Sequence, residues 1–296
     1  LIGTPYAVLD FPNFRGGFMS QLEMGSAAWS GQSAAATAWV FLAGLVHGAG
    51  FVAALGGVAG ILLLLRADRR AALLLLAFPV TYFAFMASMD LFFVRWVVPV
   101  MPFVALAGAY ALERLFRWSP VYRAPVLGVA LVTITLIQPA ASSLRLDWLV
   151  QRMDTRIEAN RWAELNIPPG SKVAVEAFSL LDQEALSFRA TLQQREIELV
   201  WRATMQPMEY YLGEGFDYLA VSSFMYDRAF ENQEGYRDRV DFYQRLDREY
   251  PLVATFSPRT DGGAPGFALD DTDTPFWRLW DYDRPGPTIK VYRLRS

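Results

Sequence analysis

Hydrophobic residues run almost unbroken through the first half of the chain and are interrupted by charges in the second. No Asp, Glu, Lys or Arg occurs from Met24 to Leu65. A bilayer core takes about 20 apolar residues per helix. That stretch therefore exceeds one span, and its Gly/Ser-rich beginning, 25–32, reads as a loop. The pattern predicts a first span over 42–65, while Trp39–Gly48 also fits an interfacial helix anchored by Trp39. Further spans are predicted at Ala71–Met89, Trp96–Phe116 and Ala124–Ser142. Pro99 and Pro102 fall inside the third. Proline is tolerated in membrane helices because neighbours and water satisfy the carbonyls it frees.

The pattern changes beyond 147. Asp154–Asn166 has helical spacing, with Ile157, Trp162 and Leu165 on a shared face, and Pro168-Pro169-Gly170 stops it. Short apolar runs at Lys172–Glu176, Ile197–Trp201, Phe216–Ser222, Leu252–Ser257 and Ile289–Leu294 read as strands. Met205–Leu212 and Tyr236–Glu249 read as helices between them. Alternating helix and strand predicts an α/β domain with a partly parallel sheet. Phe256 to Pro287, rich in Gly, Pro and Asp, reads as a long loop. The expected architecture is a membrane α-helical bundle of about four spans over 1–147, with an N-terminal loop, followed by an α/β domain over 148–296.

Charge orients this arrangement. Residues 1–147 carry 9 Lys/Arg and 6 Asp/Glu, and residues 148–296 carry 18 and 24. An acidic second half argues against nucleic acid as a partner, since phosphate contacts need cations. Arg66, Arg69 and Arg70 follow the first span, and Arg114, Arg117 and Arg123 follow the third; the loop after the second has only Asp90 and Arg95. The positive-inside rule places the arginine-rich loops in the cytoplasm. The N-terminal loop, the Asp90–Arg95 loop and the whole second half then lie outside it. The chain opens on Leu1-Ile2-Gly3, which reads as the tail of an apolar segment of a longer protein.

Scarce residues narrow the chemistry. The chain has no cysteine and one histidine, His47. Thiolate sites and multi-histidine metal sites are therefore impossible within it. No G-x-G-x-x-G or P-loop occurs, and no cofactor or metal is expected. Asp270-Asp271-Thr272-Asp273 lacks EF-hand spacing and reads as a solvated loop. Gly56-Gly57-Val58-Ala59-Gly60 permits close helix packing. Trp277 and Trp280 suit either stacking on a sugar ring or burial against the sheet, burial being the expectation.

Several segments, in order along the chain, together resemble a known family. They are Gly3-Thr4-Pro5-Tyr6-Ala7-Val8-Leu9-Asp10-Phe11-Pro12, Val94-Arg95-Trp96-Val97-Val98-Pro99-Val100-Met101-Pro102-Phe103, Asp154-Thr155-Arg156 through Asn166-Ile167-Pro168-Pro169-Gly170-Ser171, and Gly286-Pro287-Thr288-Ile289-Lys290-Val291-Tyr292-Arg293-Leu294. The set resembles bacterial multi-pass GT-C glycosyltransferases of the protein-mannosyltransferase and aminoarabinose-transferase kind. Trp96 stands where that family often has Tyr, and segment 19–25 lacks the His its loop often carries. The resemblance implies an enzyme of the plasma membrane that takes a sugar from a polyprenyl-phosphate donor on the outer face. It also implies that the catalytic carboxylates lie upstream of this chain. Arg95, at the start of the third span, is the expected contact of the donor's phosphate. Asp90, beside it, and the carboxylates Asp10 and Glu23 are further expected substrate contacts. A non-catalytic alternative is a membrane-anchored envelope protein whose external domain binds a glycan or a partner protein.

Overall fold

The computed structural model describes residues 6–26, 34–89, 93–117, 125–180, 195–266, 268, 271 and 275–295. Two compact units divide the chain, Leu1–Ser142 and Ser143–Ser296.

The first unit is helical. A short turn, α1 (Tyr6–Leu9), leads into α2 (Phe11–Ser26), so most of the predicted N-terminal loop is helix instead. The predicted 42–65 span is two helices, α3 (Ala34–Ala49) and α4 (Phe51–Ala67), bent by 108°. The break falls at Gly50, whose φ of 89° lies in the left-handed region that favours glycine. The Phe51 N–H, orphaned by the bend, is taken by Gln138 Oε1 at 2.9 Å. A break that supplies its own partner from a neighbouring helix is stable without water. Next come α5 (Arg69–Ala87), a 3₁₀ segment (Val94–Val100) running into α6 (Met101–Phe116), and α7 (Pro125–Val150). Arg69–Ala87, Val94–Phe116 and the helix beginning at Pro125 are long and apolar enough to cross a membrane, and the bent pair adds a fourth if it counts as one span. The unit thus has the composition and helix lengths of a membrane-associated structure.

The glycine run of α4 faces α6. A Cβ on Gly60 would lie 1.8 Å from the Ala107 carbonyl oxygen, and one on Gly57 would lie 3.1 Å from Val104 Cγ1. The small-residue face is thus consumed by packing within this chain.

The second unit is α/β. Thr155–Asn166 (α8) precedes β1 (Lys172–Glu176) and β2 (Glu196–Val200). Then follow α9 (Met208–Gly213), β3 (Tyr218–Ser222), α10 (Ser223–Glu231), α11 (Arg237–Glu249), β4 (Leu252–Phe256) and β5 (Ile289–Arg293). The strand order is β2-β1-β3-β5-β4. β1 pairs in parallel with β2 and β3; β5 pairs antiparallel with β3 and β4. Helix α10 was not expected from the sequence. The buried face of α8 is also different: Thr155, Ala159 and Ala163 are buried, while Ile157 and Leu165 are exposed. Small side chains let the helix lie close to β4 and β5, and the larger ones are left at the rim. The Thr155 Oγ1 donates to the Pro287 carbonyl at 2.8 Å, and its N–H to that of Pro285 at 3.0 Å. Segments 154–171 and 286–294, which carry the family resemblance in this half, therefore meet.

Candidate functional site

Arg95 owes its position to the geometry of the 3₁₀ segment. Three residues per turn put i and i+3 on one face. Val94, Val97 and Val100 follow that spacing and are all buried, against Phe41 and its neighbours. Val94 approaches so closely that a Cβ on Gly44 would stand 2.6 Å from its Cγ2. Arg95 and Val98 share the opposite face and are exposed. The Arg95 guanidinium carbon lies 4.4 Å from the centroid of the Phe93 ring. Proline has no N–H, so Pro99 leaves the Trp96 carbonyl without its 3₁₀ donor. Tyr82 fills the gap, its hydroxyl donating to that carbonyl at 2.9 Å. The platform under Arg95 is thus fixed on one side by valines and on another by a tyrosine from α5.

The other expected contacts fare differently. Asp10 is half-buried and starts α2: its Oδ2 accepts from Asn13 Nδ2 at 2.9 Å and its carbonyl from Phe14 N at 3.0 Å. Its carbonyl thus takes the first bond of the helix, and its carboxylate is held by the Asn13 side chain. Glu23 falls on α2, but its side chain, like Asp90, lies outside the described residues. The contacts described for Asp10 and Arg95 have no partner in common. His47 is half-buried near the end of α3. Asp271 is buried and accepts the backbone N–H groups of Phe276, Trp277 and Arg278, so it closes a turn. Trp280 is 63% exposed, against the expected burial.

A second constellation, missed in the sequence, sits in the α/β unit. After β2 the chain returns to the far side of β1 to form β3, so the carboxyl ends of β1 and β3 flank a topological switch point. In open α/β sheets that position is where ligands bind. Here Glu176 ends β1 there and is wholly buried. Its Oε1 accepts from Ala203 N at 2.8 Å and Tyr243 OH at 2.5 Å; its Oε2 accepts from Ser222 N at 3.0 Å. Burial pushes the carboxyl up to about 7, against the pull of those three donors and of Arg202. Every donor named belongs to the protein, so Glu176 closes the switch point from within and ties β1, β3 and α11 together.

Around this plug stand aromatic rings. Phe178, at φ 63°, is a left-handed non-glycine residue in the turn after β1. Such a conformation costs about 1–3 kcal/mol unless its surroundings compensate. Its ring meets Trp201 and Phe224 edge-on, with centroids 5.9 and 6.0 Å away. The sequence signal for Glu176 was present: a lone carboxylate closing the apolar run Val173-Ala174-Val175. Searched against known proteins, the chain matches no family model, no curated protein and no solved structure.

Proposed function

We propose that this chain is the carboxy-terminal part of an inverting bacterial membrane glycosyltransferase, moving a sugar from a polyprenyl-phosphate donor to an envelope acceptor. The observation that carries the reading is Arg95. It is an exposed residue on a braced 3₁₀ turn, at the first turn of Val94–Phe116, a helix long and apolar enough to cross a membrane. A lipid-linked phosphate would present its anion at that depth. Arginine offers a planar fork of donors suited to phosphate oxygens.

In such a transfer the acceptor oxygen attacks the anomeric carbon, a carboxylate takes its proton, and the phosphate leaves. Negative charge grows on the leaving oxygens, so a fixed cation beside them lowers the barrier. Arg95 is assigned that role, and the base is assigned to a part of the protein upstream of this chain. The arginine bias of the loops supports placing Arg95 and the α/β unit on the outer side of the plasma membrane.

The test is Arg95→Ala in the full-length protein, read as transfer of labelled sugar from polyprenyl phosphate in membranes, normalised to protein level. Loss of a charge-assisted contact costs about 1.5–3 kcal/mol, so kcat/KM should fall roughly ten- to a hundredfold. Arg95→Lys should recover part of that, keeping the charge but not the fork. Unchanged activity in Arg95→Ala at sub-saturating donor would remove Arg95 from the site. Absence of any transfer by the unaltered protein would favour the glycan- or partner-binding alternative.

A further inference from the structure

Helix α7 does not stop where its apolar stretch stops. It begins at Pro125, and residues 125–144 carry no charge. At about 1.5 Å per residue, some 20 residues cross a hydrocarbon core of about 30 Å. That length is used up at Leu144. Arg145-Leu146-Asp147-Trp148-Leu149-Val150 continue the same helix, and Gln151-Arg152 follow it. If α7 crosses, these residues emerge at the headgroup layer, where tryptophan and arginine are most at home.

Two guanidinium carbons lie over the Trp148 ring: that of Arg145 at 4.3 Å and that of Arg152 at 4.2 Å from its centroid. A remote turn joins them. Leu279–Asp281 forms a 3₁₀ turn, and Leu279 and Tyr282 pack against Leu149 in a buried cluster. Arg145 Nη2 donates to the Tyr282 carbonyl at 2.5 Å, and its guanidinium carbon lies 5.6 Å from the Trp280 ring. The turn is therefore clamped to the end of α7, yet Trp280 itself stays out of the core. Leu144, Val150 and Met153 nearby are exposed as well. Large exposed rings and aliphatics at the foot of an apolar helix call for a cover. The Arg145 charge is also felt by Asp283. Arg152 is exposed and has no ion-pair partner among the described residues.

We infer that Trp148, Trp280 and Arg152 form a foot on the bilayer surface. The two indoles lie among the lipid headgroups, their N–H groups facing polar headgroup oxygens, and the Arg152 guanidinium takes a lipid phosphate oxygen. The occupant is the bilayer surface because the foot is continuous with a helix of membrane-crossing length, and because its exposed cation complements a phosphate. The inference rests on α7 crossing a membrane. It is independent of the glycosyltransferase reading.

The cysteine-free sequence allows single labels. The full chain is reconstituted in phosphatidylcholine vesicles containing phosphatidylglycerol, with a spin label at Trp280→Cys, at Ile137→Cys within the apolar part of α7, or at exposed Asp241→Cys on α11. Collision with oxygen against a water-soluble nickel complex reports depth. Position 137 should read as buried in lipid, 280 as headgroup level and 241 as bulk water. The reading at 280 should be shallower in pure phosphatidylcholine, and Arg152→Gln should abolish that difference. If 137 is buried while 280 is as water-exposed as 241, the foot is overturned and the membrane crossing stands. If 137 is itself water-exposed, the crossing fails and the foot fails with it. If Arg152→Gln leaves the lipid dependence intact, the arginine–phosphate contact is overturned.

Discussion

The two units are packed in opposite senses. In the apolar unit Gly57, Gly60, Ala72 and Ala107 are buried, and outside the cluster at Phe41, Val94, Val97 and Val100 many large side chains, Leu55, Val58, Leu62, Leu73, Leu74 and Phe78 among them, are exposed. In the α/β unit Tyr211, Phe216, Tyr243 and Tyr292 fill the core. Water drives large apolar side chains inward, and the second unit obeys. In lipid that drive vanishes, and helices associate through close backbone approach at small residues. The first unit reads as packed for a solvent as apolar as its own surface. Polar bookkeeping differs in the same way. In the first unit, carbonyls and amides freed by Pro99 and the Gly50 bend are answered one at a time by Tyr82 and Gln138. In the second, one carboxylate collects three donors.

The contrast breaks most visibly at Glu176. Glu176→Leu leaves the Ala203 and Ser222 amides and the Tyr243 hydroxyl buried without their acceptor, at a cost of about 1–3 kcal/mol for each group left unsatisfied. Chemical denaturation followed by tyrosine and tryptophan emission should show the α/β unit unfolding early while detergent-held helical content persists. Simultaneous loss of both would mean the units are not separately packed.

Next in size is a pH effect of unusual sign. Folded, Glu176 holds its proton up to about pH 7, because burial outweighs its donors; the ordinary value is 4.5. Between those values the folded state keeps a proton that the unfolded state has lost, so stability is full below about 4.5 and falls as pH rises through about 7. The difference amounts to roughly 3 kcal/mol. Asp227, also pushed up to about 7 by burial against the pull of Lys290, acts in the same direction. Denaturation midpoints measured from pH 5 to 8 should decline, and Glu176→Gln should flatten the decline to the share left to Asp227. An unchanged slope in that variant would show Glu176 to be ionised in the folded protein.

In the apolar unit the corresponding test is Gly60→Ala. The added methyl would sit 1.8 Å from a backbone oxygen that has no rotamer to escape by. Overpacking costs about 1–3 kcal/mol or more, and thermal stability in detergent should drop accordingly. Gly16→Ala, with nothing within 4 Å, is the control and should be neutral or slightly stabilising. Smallest is Tyr82→Phe, which removes the donor to the Trp96 carbonyl and should cost about 1 kcal/mol. A cost near zero would mean that water reaches that carbonyl.

Much of this was legible along the chain because patterns repeat locally. Lys172–Glu176 is the strand its short apolar run predicts, and the boundaries of β3, β4, β5 and α11 fall within about two residues of expectation. The parallel pairing followed from helix–strand alternation. What was hidden depends on distant partners. The Gly50 bend needs Gln138, and nothing in 42–65 announces it. The buried face of α8 is set by how near the sheet lies, which favours Ala159 and Ala163 over the larger Ile157 and Leu165. The role of Glu176 cannot be read from its place at a strand end, because its donors come from residues 203, 222 and 243. Of the expected site, the 3₁₀ spacing accounts for the exposure of Arg95, while Asp10 turned out to start a helix.

The proposed function requires the helical unit to cross a membrane an even number of times and to leave the α/β unit outside the cytoplasm. Single cysteines at two exposed positions test it against no background, since the chain has none of its own: Ala67→Cys at the end of α4, beside Arg66, and Asp241→Cys on α11. In intact spheroplasts a membrane-impermeant maleimide should label Asp241→Cys at once and Ala67→Cys only after lysis. Labelling of both from the same side, or of Ala67→Cys alone, would contradict the account.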